Sequence, residues 1–193
     1  GGISRYLLDL CPALKERGHV VTIAGERGVE HDAFMQAGIS WIDVPSKGGY
    51  FDLRRCASML REHSFDVVHA HYRRAALVGR MLRRPLLFTL HLTGIPMSRW
   101  HRMMSDFGDH THAPSQAAKR WLMDEARLTE DLITVIPHGP NPRKFSLASN
   151  DDQRAAHEQL GIDQHATVAA YVGRFDEPKN EGWIVDVANR CPE

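Results

Sequence analysis

Histidine dominates the reactive side chains of this sequence, with 12 copies in 193 residues. Two H-x-H pairs stand out, His69/His71 and His110/His112, with His91 between them and His138 beyond. An H-x-H pair on a strand puts both rings on one face. Zinc sites use such spacing, but they need a third ligand, usually with a carboxylate at hand. Asp66 and Asp109 both precede their pairs and would sit at the wrong edge of a sheet, so no bound metal is expected. A second group is cationic. Arg174 follows Gly173, and Lys179 comes five residues later. A planar guanidinium and a compact ammonium suit phosphate oxygens. Gly1-Gly2 directly precede a helical pattern, which lets their amides point at an anion.

The elements that would position these residues alternate. Helical periods occur over 3–14 (kinked by Pro12 and stopped by Gly18), 31–37, 52–63, 73–82, 97–105, 115–125, 150–160 and 181–190. Short apolar runs between them predict strands at 19–24, 39–44, 66–70, 86–90, 110–113, 132–136 and 166–172. Asp52 is expected to cap its helix, and Ser115 to be an N-cap. Strand–helix alternation with short loops predicts an α/β fold, a Rossmann-like parallel sheet with helices on both faces. The uninterrupted run 86–90 predicts a strand buried on both sides. The Pro-rich stretch 137–142, followed by a fresh helix–strand–helix pattern, predicts two domains, 1–145 and 146–193.

In such sheets ligands bind beyond the carboxyl ends of the strands. At those exits stand His71 and Tyr72, His91, Ser115, His138, and Gly173 with Arg174. A polar ligand lying across this edge is the expectation. The bland alternatives are an ordinary N-cap for Ser115, a satisfied core histidine for His69 and solvated charges for Arg174 and Lys179.

Composition narrows the function classes. Lys+Arg 24 against Asp+Glu 24 gives no net charge, which argues against a nucleic-acid binder. The longest stretch without a charged residue, 85–98, is shorter than the roughly 20 residues that span a bilayer. Cys11, Cys56 and Cys191 lie far apart and cannot all pair, so reduced thiols in the cytoplasm are expected. The first residue is Gly1, and Cys191-Pro192-Glu193 follow a helix-like run, so both ends look cut.

The ordered series Gly1-Gly2-Ile3, LKERGHVV (14–21), DVVHAHY (66–72), Thr89-Leu90-His91, Ala113-Pro114-Ser115, VIPHG (135–139) with Phe145, and YVGRFDEPK (171–179) resembles the family 4 retaining glycosyltransferases. The resemblance implies a GT-B architecture, two Rossmann-like domains facing across a cleft. This chain would supply most of the acceptor-side domain, without a first strand ahead of Gly1, and the start of the donor-side domain. It implies metal-independent, retaining transfer of a sugar from a nucleotide-diphosphate sugar, with no cofactor. Gly1, Gly2, Gly173, Arg174 and Lys179 would bind the donor diphosphate, and His91 would stand at the transferred sugar. Lys47, Tyr72 and Arg102 would contact a glycan, lipid-linked or small-molecule acceptor, with His71, Ser115 and His138 lining the cleft. His138 and Asn180 depart from the family's usual Asn and Gly. The downstream pair of glutamates and the nucleoside pocket lie outside this chain, and the fragment alone is expected to be inactive. Two other classes compete: a metal-dependent hydrolase using the H-x-H pairs, and a non-catalytic sugar-phosphate- or nucleotide-binding module.

One surface expectation concerns charge. Arg73, Arg74, Arg80, Arg83, Arg84, Arg99 and Arg102 fall in a segment without acidic residues. On a helical wheel Arg73, Arg80, Arg83 and Arg84 share a side opposite Leu77, Val78, Met81 and Leu82. The bland reading leaves them in water. The sharper one rests this face peripherally on anionic lipid.

Overall fold

The computed structural model describes residues 2–45, 48–173 and 182–190. The chain divides into two compact units, Gly1–Asn141 and Pro142–Glu193.

In the first unit the elements run α1 (Gly2–Glu16), β1 (Thr22–Gly25), α2 (His31–Gln36), β2 (Ser40–Asp43), α3 (Tyr50–Arg61), β3 (Val68–Ala70), α4 (Arg73–Met81), β4 (Leu86–Thr89), α5 (Arg99–Met103), β5 (His110–Ala113), α6 (Gln116–Asp124) and β6 (Ile133–Val135), with a 3-10 turn at Glu130–Leu132. Every strand pair is parallel, each joined through a helix, as the alternation predicts. The strands form two sheets rather than one: β1-β2, and β3-β4-β5-β6. Among the described residues no strand lies between β1 and β3, so each keeps one unpaired edge.

Register explains how the four-stranded sheet is built. Val68, Leu86 and Ala70, Phe88 are partners, as are Phe88, Thr111 and Thr111, Ile133. Partners share a face, and alternate residues switch faces. One face therefore carries Val68, Ala70, Leu86, Phe88, Leu90, Ala113 and Ile133. These pack with Ala76, Phe107, Ala118 and Leu122 into the main core. The opposite face carries His69, Thr89, His110, His112 and Thr134, continued by His71 and His91 beyond the strand ends. The run 86–90 is buried on both sides as expected, but Thr89 is a fully buried polar residue there.

Local chemistry sets the helix ends. Ser115 caps α6, its Oγ accepting from Ala118 N at 3.1 Å. Asp52 acts from inside α3 rather than at its cap: Gly49 N donates to its carboxylate at 2.8 Å. Gly108, at φ +81°, makes the turn into β5, where an added Cβ would stand 2.5 Å from the Leu86 carbonyl oxygen. Cys11 and Cys56 are buried and unbridged.

The second unit contains α7 (Asn150–Leu160) and α8 (Gly182–Arg190). A capping box between Ser149 and Asp152 opens α7, and Gly161, at φ +66°, closes it. The strand expected over 166–172 does not form. Its apolar run has no neighbouring strand among the described residues of this unit, and without a ladder its N–H and C=O groups gain nothing from extension. No helix among the described residues is long and apolar enough to cross a membrane.

Candidate active site

The polar face of the four-stranded sheet carries a connected histidine cluster. His112 Nε2 donates to the Ile136 carbonyl at 2.8 Å, where β6 leaves the sheet. With that ring neutral its Nδ1 is an acceptor, and the Thr89 hydroxyl meets it at 3.2 Å. Thr89 Oγ1 then accepts from His69 Nε2 at 2.7 Å. The chain of bonds thus runs from β6 across β5 and β4 to β3 and sets the tautomers of His69 and His112. The hydroxyl can accept from one imidazole and donate to the next through a single atom, which explains a buried threonine in an otherwise apolar run.

A second pair lies toward the carboxyl edge. His71 Nδ1 and His91 Nε2 are 3.0 Å apart, so one donates and the other accepts. Among the described residues His91 Nδ1 has no hydrogen-bond partner, and its state is the complement of whatever Nε2 does. Tyr6, in the second turn of α1, closes the cluster. Its ring stacks on His138 at 4.4 Å and 27°, and meets His91 and His71 edge-on at 5.5 and 5.9 Å.

This packing keeps the cluster uncharged. Burial first, and the proximity of His112 and His91 second, bring His69 down to about 4. Burial and then His138 and His112 bring His91 to about 4. His71, with burial first and four histidine neighbours behind it, falls lowest. His138 is lowered by partial burial and then by His112. Burial also raises the Tyr6 phenol, more than the neighbouring Thr89 hydroxyl lowers it. The cluster therefore offers neutral imidazoles to a ligand, able to hydrogen-bond hydroxyls without repelling a developing cation.

The expected residues distribute as follows. His71, His91 and His138 come together around Tyr6. Ser115 stands at the exit of β5 but is occupied as a cap. Tyr72 opens α4 with its side chain exposed. Arg102 lies half-buried, its Nη1 donating to the carbonyls of Met97 at 2.9 Å and Glu125 at 3.4 Å. Gly2 is the exposed first residue of α1, with nothing near its Cα on the missing side-chain direction. Gly173 lies under the Tyr171 ring. Gly1, Lys47, Arg174 and Lys179 lie outside the described residues. No three of the histidine, cysteine and acidic side chains among the described residues are arranged to hold a metal ion. The H-x-H pairs are instead engaged in the bonds above and in His110 Nε2 to Thr134 Oγ1 at 2.7 Å.

The arginines of the expected lipid-facing side differ in their partners. Arg80 grips Asp106 with Nε at 2.7 Å and Nη2 at 3.0 Å, and its Nη1 reaches Asp109. Arg73 donates to Ser105 Oγ at 3.3 Å. Arg74 donates to the Gly48 carbonyl at 2.5 Å. These side chains tie α4 to neighbouring loops because the counter-charges stand just past the segment that lacks them. Of the wheel's four arginines, Arg83 and Arg84 are exposed, Arg80 is exposed but engaged by the two aspartates, and Arg73 is half-buried.

The sequence alone assigns no role to Tyr6, and it marks Thr89 only as part of Thr89-Leu90-His91. The signal for Thr89 was available: alternation in H-A-H, T-L-H and H-T-H puts one polar residue of each strand in register. Nothing local marks Tyr6.

Comparison with known proteins agrees with this fold. The family model Glycosyltransferase Family 4 matches residues 1–144. Among curated relatives, a D-inositol 3-phosphate glycosyltransferase of Corynebacterium aurimucosum is 29% identical over 179 residues, covering 77% of this chain and 40% of that protein. A phosphatidyl-myo-inositol mannosyltransferase of Mycobacterium tuberculosis is 26% identical over 199 residues, covering 93% and 50%. The chain thus spans about half the length of the curated relatives it matches. Among solved structures, Anabaena Alr3699/HepE in complex with UDP superposes with a TM-score of 0.79 at 21% identity, over 100% of this chain and 55% of that one. A glycosyltransferase of Rickettsia africae gives 0.70 at 20%, over 84% and 47%. At these identities the structural likeness speaks for the fold, and the family match carries the assignment: the chain belongs to glycosyltransferase family 4.

Proposed function

We propose that the protein transfers a hexose from a nucleotide-diphosphate sugar to a polyol phosphate, free or lipid-linked, with retention of configuration and without a metal ion. The observation that carries the transfer reading is the family match over residues 1–144. Two of the relatives are named for inositol phosphate or phosphatidylinositol acceptors, which motivates the acceptor class. A solved neighbour holds UDP, which supports a nucleotide-sugar donor.

The chemistry divides by residue type. The departing diphosphate gathers negative charge, which needs cations and amides rather than imidazoles. Arg174, Lys179 and Gly173, with Gly1 and Gly2, take that role in this proposal. His91 offers its free Nδ1 to a hydroxyl of the transferred sugar, and its neutrality costs nothing as positive charge grows at the anomeric carbon. Lys47, Tyr72 and Arg102 take the acceptor, His71 and His138 line the ligand's wall, and Ser115 fixes the helix behind it. The proposal includes peripheral contact with anionic membrane. Arg83, Arg84 and Arg99 would supply roughly 1 kcal/mol each at a charged surface.

The test is transfer by the full-length protein from a panel of UDP- and GDP-hexoses to myo-inositol phosphate or to vesicles containing phosphatidylinositol. Mass spectrometry reads the product, proton NMR its anomeric configuration, and chelator the metal requirement. Turnover that survives chelator, keeps configuration and collapses in His91→Ala is expected. Hydrolysis without transfer, or turnover lost with chelator, would overturn the reading.

A further inference from the structure

We propose that Tyr6 is a positioning residue, the brace that holds His91 and His138 in their working orientations. The inference rests on the transfer reading above for its kinetic arm alone.

Three observations meet at this ring. Tyr6 stacks face to face on His138, whose residue is otherwise exposed on a loop of prolines and glycine. It presents an edge to His91 and another to His71, the two rings that share a hydrogen bond. It belongs to α1, whereas His71, His91 and His138 stand at the exits of β3, β4 and β6, so one side chain joins a helix to three strand ends. Offset and edge-to-face aromatic contacts are directional, unlike aliphatic packing. An aliphatic residue of equal bulk would fill the space but leave the His138 ring free to turn.

The orientation matters because His91 has a single hydrogen bond among the described residues, at Nε2. One bond leaves a ring able to pivot about it. The edge contact with Tyr6 supplies the second constraint, and so aims Nδ1. A displacement of about 1 Å at a reacting group can cost on the order of a hundred-fold in rate. The three histidine contacts are made by the ring and assign this role to it, while the phenol hydroxyl is bonded to Thr89.

The test uses the full-length protein, Tyr6→Leu and Tyr6→Phe, each checked for folding by thermal unfolding. Imidazole nitrogen and carbon shifts of His91 and His138 are read by NMR without any ligand. They should move in Tyr6→Leu and return in Tyr6→Phe. With a UDP- or GDP-hexose from the transfer panel, Tyr6→Leu should lose at least ten-fold in kcat with donor KM within two-fold. Tyr6→Phe should restore at least half of the turnover. In a His91→Ala background Tyr6→Leu should cost nothing further. Unmoved imidazole shifts, wild-type kcat in Tyr6→Leu, or losses that multiply with His91→Ala would overturn the proposal. If Tyr6→Leu does not fold, Tyr6→Phe decides by itself, because a ten-fold loss there would put the role in the phenol. Absence of transfer by the unmodified protein would sink the transfer reading but leave the NMR arm to judge Tyr6.

Discussion

Acid should begin to destabilise this protein near pH 6.5, well above the range in which carboxylates titrate. The folded chain holds His69 and His91 near 4 and His71 lower still, against an unfolded value of 6.5. Below pH 6.5 the unfolded chain therefore binds protons that the folded one refuses. Stability is intact above pH 6.5 and falls as pH drops toward 4. Each histidine adds a slope of about 1.4 kcal/mol per pH unit in that window, and His69 alone, about 2.5 units down, removes on the order of 3 kcal/mol. Three such groups cost up to about 4 kcal/mol per pH unit, against a total of roughly 5–15 kcal/mol for an ordinary domain. Unfolding is expected between about pH 4 and 5. Asp106 and Asp109 act in a lower window. Burial raises Asp106 but Arg80 outweighs it, and the Arg80 bonds lower Asp109, so both lose their contribution only as pH falls below the usual carboxylate range. Urea unfolding followed by circular dichroism at pH 7.5, 6.5, 5.5 and 5.0 measures the slope. His69→Gln should reduce it by about one proton's worth. A stability unchanged between pH 7 and 5 would refute the claim that the cluster is neutral because it is buried.

Two further outcomes follow from individual contacts. Thr89→Val keeps the shape of a fully buried side chain but strips the hydroxyl between His69 and His112; it should cost about 1–3 kcal/mol in urea unfolding, and a neutral result would remove the hydrogen-bond chain as a structural element. Gly108→Ala meets both a positive φ and backbone atoms at 2.5–3.1 Å, so it should lower stability by more than about 2 kcal/mol, and a wild-type melting temperature would contradict the tight turn into β5.

Much of this protein is legible along the chain because the signals are local. Alternating helical and apolar periods set the parallel α/β order, and Ser115 before an amphipathic run marks a cap. The His69/His71 and His110/His112 alternation puts both rings of each pair on one side of a strand whatever the rest of the fold does. The strand ends then nominate His71, His91 and His138, because a parallel sheet exposes those positions together. What adjoins what across the sheet was decided only by tertiary structure. Register sets Thr89 beside His112, and helix placement brings Tyr6 from the start of the chain onto His138. The partners of Arg80 stand 26 and 29 residues downstream, beyond any helical wheel, and only the fold brings them to its guanidinium. The apolar run 166–172 shows the same limit from the other side: propensity favours extension, but a strand exists only where a neighbour accepts its hydrogen bonds. Periodicity is a property of consecutive residues and can be read one chain segment at a time. Hydrogen-bond partners, counter-ions and ring stacks belong to pairs, and pairs are chosen when the segments pack.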